Sequence, residues 1–169
     1  MTKTPVEKAF TIDTSSIKFG PGITNEAGFE LSRLAAKRVM VVTDRKMADS
    51  HAVKSATESL RREGIDHTIF DQVSIEPTDD SLKNAISFAI EGKFDGFLAV
   101  GGGSSIDTAK AANLYSTYPG DFLEYVNAPI GKGTPVPGDL KPLVAVPTTI
   151  GTGSETTGVA IFDFKDIGA

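Results

Sequence analysis

A glycine turn containing Gly102 and Gly103, followed by Ser104, comes directly after a short apolar run at residues 97–100. The apolar run predicts a buried strand, and the residues after the turn predict a helix. Glycines at such a turn let backbone N–H groups approach an anion closely, and the first turn of a helix adds free N–H groups and a partial positive charge. The pattern therefore indicates phosphate binding. The alternative is an ordinary turn in which Ser104 caps the helix and Asp107 completes a capping box.

A second loop rich in glycine and hydroxyl groups follows another apolar run at residues 143–146. Its threonines are Thr148, Thr149 and Thr152. Hydroxyl groups donate hydrogen bonds to phosphate or ribose oxygens, and the interspersed glycines permit close approach. The alternative is a polar loop whose side chains bond to their own backbone.

A carboxylate, Asp44, stands just past the predicted strand at residues 38–43. In the usual dinucleotide fingerprint the glycine loop comes first and an acidic residue follows. Here the order is inverted, but a carboxylate at a strand end can still accept hydrogen bonds from ribose hydroxyls. It would also repel a 2′-phosphate, which favours NAD over NADP. The alternative is a cap or a solvated turn.

These residues lie on a chain that alternates strands and helices, so we predict an α/β fold with a parallel sheet covered on both faces. Ligands of such sheets bind beyond the carboxyl ends of the strands, where all of these loops would converge. The predicted strands span 38–43, 67–73, 97–100 and 143–146, and the predicted helices span 24–36, 52–63, 78–91 and 105–114. Weaker patterns indicate edge strands within 9–18, a short helix at 121–126 and a strand at 159–162.

The composition restricts the possible functions. The chain has 169 residues, a net charge of −5 and no cysteine. These values suit one domain and exclude disulfides and thiolate metal sites. They also argue against a nucleic-acid surface. No apolar run approaches the roughly 18 residues of a membrane span, and the N-terminus lacks a signal sequence, so we expect no membrane partner and a cytoplasmic location. Neither His51 nor His67 has a partner at metal-ligand spacing.

Together these motifs resemble the iron-containing (group III) alcohol dehydrogenases. The stretches that carry the resemblance are VVTD at 41–44, GGGSSID at 101–107 and PTTIGTGSE at 147–155. Within that family the likeness is greatest to the hydroxyacid-oxoacid transhydrogenase branch. Further stretches support this branch: SIKFGPG at 16–22, KAANLY at 110–115, APIGKG at 128–133 and ETTGVAIFD at 155–163.

The resemblance implies a Rossmann-like, NAD(H)-binding N-terminal domain that takes up all of residues 1–169, as in the dehydroquinate synthase-like folds. It implies eight cofactor-binding positions with distinct places along the dinucleotide. They are Asp44 at the adenosine ribose, Gly102, Gly103 and Ser104 at the pyrophosphate, Thr148, Thr149 and Thr152 lining the remainder, and Asp107 either ordering the loop or meeting the nicotinamide side.

The reaction that the resemblance implies is hydride transfer between an alcohol or hydroxyacid and a carbonyl, with iron or zinc polarising the substrate oxygen. In the transhydrogenase branch, 4-hydroxybutyrate is oxidised and 2-oxoglutarate is reduced. The family's metal is held by one aspartate and three histidines of a second, helical domain, whereas this chain has two histidines in all. We therefore expect no catalytic or metal-binding residue here, and a truncated, inactive cofactor half of a longer enzyme.

Several related expectations stay open. A homodimer is compatible with the family, and a eukaryotic source with a removed presequence would imply mitochondria. The alternative functions are a non-catalytic nucleotide-binding module and a glycerol dehydrogenase-like enzyme. Dehydroquinate synthase shares the glycine-loop layout, but the threonine loop favours the alcohol dehydrogenases.

Overall fold

A four-stranded, fully parallel sheet in the order β2-β1-β3-β4 forms the centre of the fold. It is seen in a computed structural model that describes residues 15–165. The strands are β1 (Arg38–Val42), β2 (Asp66–Phe70), β3 (Gly96–Gly101) and β4 (Leu143–Pro147). The prediction of a parallel α/β sheet is confirmed. The edge strands expected within 9–18 fall mostly outside the described residues, and residues 15–18 form no strand.

Helices cover both faces of the sheet, as predicted. They are α1 (Ala27–Arg33), which a 3-10 turn at Ile23–Glu26 precedes, α2 (His51–Arg62), α3 (Asp79–Gly92) and α4 (Gly103–Thr117). One apolar core joins α1 and α2 to the sheet, and a second joins α3 and α4 to its other face. None of the helices within residues 15–165 is long and apolar enough to cross a membrane.

The alternating direction of side chains along β1 explains why its sequence is apolar throughout. Val39 and Val41 enter the core under α1 and α2, whereas Met40 and Val42 enter the core under α3 and α4. All four are fully buried. A central strand of a parallel sheet has no solvent-facing side, so its sequence is a continuous apolar run.

Side-chain caps define where two helices begin. The backbone N–H of Thr78 donates to Ser81 Oγ at 2.8 Å, and the N–H of Ser81 donates to Thr78 Oγ1 at 3.3 Å, which completes a capping box on α3. At α2, Ser50 Oγ accepts from the N–H of Val53 at 3.2 Å. Both caps satisfy N–H groups that lack partners inside their helices.

Two weaker predictions are wrong. Residues 121–126 form turns rather than a helix, because Asp121 Oδ1 accepts from the N–H of Leu123 at 2.9 Å and Phe122 stacks on Tyr115 instead. Residues 159–162 form no strand. Part of their backbone bonds to side chains of α4 rather than to a neighbouring strand.

Candidate functional site

The strand order creates a crevice at the carboxyl ends of β1 and β3. From β1 the chain proceeds to β2 on one side of the sheet, and from β3 it proceeds to β4 on the other. Such a switch point is where open α/β sheets bind ligands. The buried Thr43 Oγ1 donates to the carbonyl of Val100 at 2.8 Å and holds the two strand ends together. Sequence reasoning assigned Thr43 no role of its own, although its place in the VVTD stretch was a signal.

Helix α4 begins in this crevice with its first N–H groups free. Its N-cap, Gly102, has φ −79° and ψ −172° and supplies no capping side chain. The carbonyl of Gly102 accepts from the N–H groups of Ser105 at 3.0 Å and Ile106 at 3.2 Å. Within residues 15–165 no hydrogen bond uses the N–H groups of Gly103 and Ser104. Two free donors therefore lie at the positive end of a 15-residue helix, an arrangement that attracts anions.

The alternative interpretation, in which Ser104 caps the helix, is wrong. The helix starts two residues earlier than predicted, at Gly103, and Ser104 Oγ instead donates to the carbonyl of Ile75. Asp107, the expected partner in the capping box, lies one turn further along and bonds elsewhere. Gly102 occupies the N-cap position with an extended backbone. Because it has no side chain, the threonine loop can pack against it.

The threonine loop packs directly against the glycine turn. A Cβ atom on Gly102 would lie 2.9 Å from Thr149 Oγ1. A Cβ atom on Gly103 would lie 3.0 Å from Ser154 Oγ and 3.2 Å from Thr152 Cβ. The structure thus brings together four of the residues that the sequence singled out, and the glycines are what allows the two loops to approach so closely.

Thr148 continues the edge of β4 into this loop. Its N–H donates to the carbonyl of Gly101 at 2.9 Å, which ties the two loops at their base. Thr148 and Thr149 also line a cavity of about 1350 Å³ that extends along β4 to helix α1. A large cavity therefore adjoins the crevice on the side beyond β4.

Asp44 lies at the opposite side of the crevice, half-buried after β1. Its Oδ1 accepts from the N–H groups of Lys46 at 2.8 Å and Met47 at 3.1 Å. One carboxylate oxygen of Asp44 therefore stabilises a local turn, as the alternative interpretation of this residue predicts. No hydrogen bond within the described part of the chain uses Oδ2. Asp44 and Ile75 line a cavity of about 350 Å³, and Ser104 is bonded to Ile75, so this cavity adjoins the glycine turn.

Asp107 is separated from the crevice by its partners in the protein. It is 6% exposed. Its Oδ2 accepts from the N–H of Ile161 at 3.2 Å, and Lys110 Nζ lies 3.5 Å from its Oδ1. These contacts favour the ordering role over direct contact with nicotinamide. Sequence reasoning missed Lys110, although a charged pair three residues apart on an otherwise largely uncharged helix was a signal.

Two side chains with shifted pKa values lie near β4 and α4. Burial raises the pKa of Tyr115 to about 12, so this phenol stays protonated at neutral pH and donates to the carbonyl of Phe122. Burial lowers the pKa of Lys141, which lies before the amino end of β4, and its Nζ donates to the Ser116 carbonyl at 3.2 Å. Tyr115 lines the cavity beyond β4, but its hydroxyl is bonded to Phe122, so both groups support packing.

The described residues do not fit a metal ion. Among residues 15–165 there is no group of three histidine, cysteine or acidic side chains that could hold one. His51 Nε2 lies 3.4 Å from Ser55 Oγ, and His67 Nδ1 lies 3.3 Å from the carbonyl of Ile65. The free backbone N–H groups and hydroxyls of residues 15–165 are instead suited to recognising anions and hydroxyl groups.

Comparison with known proteins agrees with this geometry. The sequence profile of the family described as "Iron-containing alcohol dehydrogenase" matches residues 14–168. The chain belongs to this family, and the resemblance inferred from the motifs is confirmed.

Two curated proteins and one solved structure show how similar this chain is to individual relatives. The chain is 56% identical over 160 residues to the mitochondrial hydroxyacid-oxoacid transhydrogenase of Bos taurus, covering 94% of this chain and 34% of that protein. It is 53% identical to the corresponding Homo sapiens protein over the same shares. A crystal structure of 1,3-propanediol oxidoreductase superposes with a TM-score of 0.83 at 28% identity, covering 95% of this chain and 41% of the other. The chain thus spans about a third of the length of these curated relatives.

Proposed function

We propose that this chain is the NAD(H)-binding domain of an oxidoreductase that transfers hydride between a hydroxyacid and an oxoacid. One observation carries the proposal. The free N–H groups of Gly103 and Ser104 lie at the switch point of a parallel sheet, with the carboxylate of Asp44 on one side and the hydroxyl of Thr149 on the other. A dinucleotide has matching groups in the same order: ribose hydroxyls, a pyrophosphate and a second nucleoside.

Each part of the cofactor has protein groups suited to it. The N–H groups at the start of α4 would hold the pyrophosphate. The free Oδ2 of Asp44 would accept from the adenosine ribose. Thr148, Thr149 and Thr152 would face the nicotinamide half, which extends beyond β4. The bound cofactor would supply the carbon that takes up and returns the hydride.

The substrates and the metal are inferred from the relatives. Hydroxyacid-oxoacid transhydrogenases are the relatives of highest identity given above, so we infer a small hydroxyacid and an oxoacid as substrates, in mitochondria. The described residues offer no metal site. We therefore infer that the metal of this family, iron, is not held by residues 15–165 alone and that this chain by itself does not turn over substrate.

Calorimetric titration of the purified chain with NADH, NADPH and ADP tests the cofactor assignment. We expect saturable binding of NADH and ADP, because both carry the adenosine ribose and the diphosphate. Binding of NADPH should be weaker, since Asp44 repels its 2′-phosphate. A folded chain that takes up none of the three would refute the proposal.

Replacing Asp44 by glycine is expected to raise the affinity for NADPH relative to NADH by about tenfold, or about 1.4 kcal/mol. The change removes both the ribose acceptor and the negative charge. It leaves the exposed Arg45 and Lys46, which line the same cavity, to attract the 2′-phosphate. Dissociation constants for both nucleotides measure the ratio.

The matched control is Asp49→Asn, because Asp49 is an exposed carboxylate of the same turn that does not line the cavity. It should leave the NADPH-to-NADH ratio unchanged. An unchanged ratio in Asp44→Gly as well would remove Asp44 from the site.

A further inference from the structure

A stretch at residues 157–163 that is neither helix nor strand, here called the strap, contacts the first two turns of α4. It follows the threonine loop and ends against the start of α3. At that end the N–H of Asp163 donates to the carbonyl of Pro77 at 2.8 Å, and the N–H of Asp79 donates to the carbonyl of Asp163 at 3.0 Å. The strap is not part of the sheet; hydrogen bonds to α3 and α4 and the ring contact of Phe162 with Phe122 at 5.5 Å hold it in place.

Two charged side chains of α4 hold the middle of the strap. Lys110 Nζ donates to the carbonyl of Val159 at 2.7 Å and to Thr157 Oγ1 at 3.4 Å. Asp107 Oδ2 accepts from the N–H of Ile161 at 3.2 Å. The side chains of Lys110 and Asp107 are only 16% and 9% exposed. Hydrogen bonds between buried charges and backbone groups are stronger than ordinary ones, and removing one partner leaves the other unpaired.

The strap lies on the side of the crevice where the nicotinamide half would extend. Along the sheet, β1 with Asp44 comes first, then β3 with the glycine turn, then β4 with the threonine loop. The strap is continuous with that loop, and Val159 and Ile161 line the same cavity as Thr148 and Thr149. Displacing the strap would change this side of the crevice and leave the adenosine side as it is.

We propose that Asp107 and Lys110 are positioning residues that hold the strap as a wall of the nicotinamide half of the site. They act through the strap, and Lys110 also lines the cavity that the strap borders. This inference rests on the proposed NAD(H) binding and adds a role for two residues whose side chains bond to the strap. It predicts that removing either side chain lowers the affinity for NADH and leaves the affinity for ADP nearly unchanged.

The test is Lys110→Met, with NADH and ADP titrated into the purified chain. ADP carries the adenosine and the diphosphate but has no nicotinamide. We expect the affinity for NADH to fall about tenfold and the affinity for ADP to change less than about twofold. Lys110→Arg keeps a cation that can reach the Val159 carbonyl, so it should restore most of the NADH affinity.

Lys141→Met is the matched control, because Lys141 is another partly buried lysine that donates to a backbone carbonyl, but before the amino end of β4. It should lower the melting temperature and leave the ratio of NADH to ADP affinity as in the wild type. A structural effect alone would move both lysine variants alike.

If Lys110→Met does not fold, Thr157→Val and Asp107→Ala replace it. The first removes one partner of Lys110 at an exposed position, and the second removes the acceptor of the Ile161 N–H. Each should lower NADH affinity selectively, and Asp107→Ala should also speed hydrogen exchange at Ile161. Equal losses for NADH and ADP, or no loss, would overturn the inference. A wild-type chain that binds neither nucleotide would instead refute the proposed function on which it rests.

Discussion

Replacing Gly102 by aspartate is expected to weaken NADH binding by about 100-fold, or about 2.7 kcal/mol, without unfolding the protein. The backbone of Gly102 is extended, with φ −79°, so any residue can adopt it, and the nearest obstacle to a Cβ atom is the rotatable side chain of Thr149 at 2.9 Å. A carboxylate there would occupy the N–H groups of α4 and repel the pyrophosphate. Two unit charges about 5 Å apart interact by about 3 kcal/mol at an effective dielectric constant of 20.

The stability of this variant should stay the same or rise by about 0.5 kcal/mol, because aspartate is a better N-cap than glycine and its charge favours the helix N-terminus. Calorimetric titration and thermal unfolding of the same sample measure the two effects. An affinity that falls while the melting temperature holds or rises cannot be attributed to misfolding.

Gly102→Asn separates charge from volume. Asparagine has nearly the same shape and also caps the helix, but it is neutral, so we expect a loss of about tenfold. Equal losses in the two variants would show that bulk alone blocks the site. Undiminished binding in Gly102→Asp would rule out the start of α4 as the anion site.

Replacing Gly28 by alanine is expected to destabilise the fold by about 3 kcal/mol, with a fall in melting temperature of about 9 °C. Gly28 is where α1 and α2 pack most closely. A Cβ atom there would lie 2.3 Å from the Ser59 carbonyl oxygen and 2.4 Å from its carbon, and a backbone cannot rotate away as a side chain can. The added methyl group would also disturb the hydrogen bond from the Gly28 N–H to Ser59 Oγ at 2.9 Å.

Gly158→Ala is the control for this change. A Cβ atom on Gly158 would have no described atom within 4 Å, and the φ of Gly158 is not positive. Alanine should therefore leave stability within about 0.5 kcal/mol of the wild type. Chemical denaturation of both variants gives the comparison. A Gly28→Ala protein as stable as Gly158→Ala would mean that α1 and α2 do not pack as described.

Recognition of anions and hydroxyl groups and binding of a metal ion require different protein groups. Anion and hydroxyl recognition depends on backbone groups at the ends of strands, which this chain supplies. Metal binding depends on converging imidazole and carboxylate side chains, which residues 15–165 do not bring together. Under the proposed function, the remaining part of the protein would bring the metal to the nicotinamide side, beyond β4.

The sequence was sufficient to predict the strands of the sheet, because burial determines which positions of a strand are apolar. The runs that became β1 and β3 are apolar at nearly every position since helices cover both of their faces. The glycine turn and Asp44 were also identifiable, because strand ends converge in any parallel sheet. Local patterns with less burial were less reliable, as at residues 121–126, where aromatic stacking on Tyr115 replaced the expected helix.

The amino-acid sequence by itself thus determined the α/β class, the position of each strand and the loops that carry polar groups, since each depends on neighbours along the chain. Only the tertiary structure decided that Ser104 bonds to Ile75 and that Asp107 and Lys110 both bond to the strap. Those contacts join residues 29 to 54 positions apart. Spacing within one helix or loop can single out a residue such as Lys110 but does not identify these partners, because the contacts form only when the sheet has brought α3, α4 and the strap together.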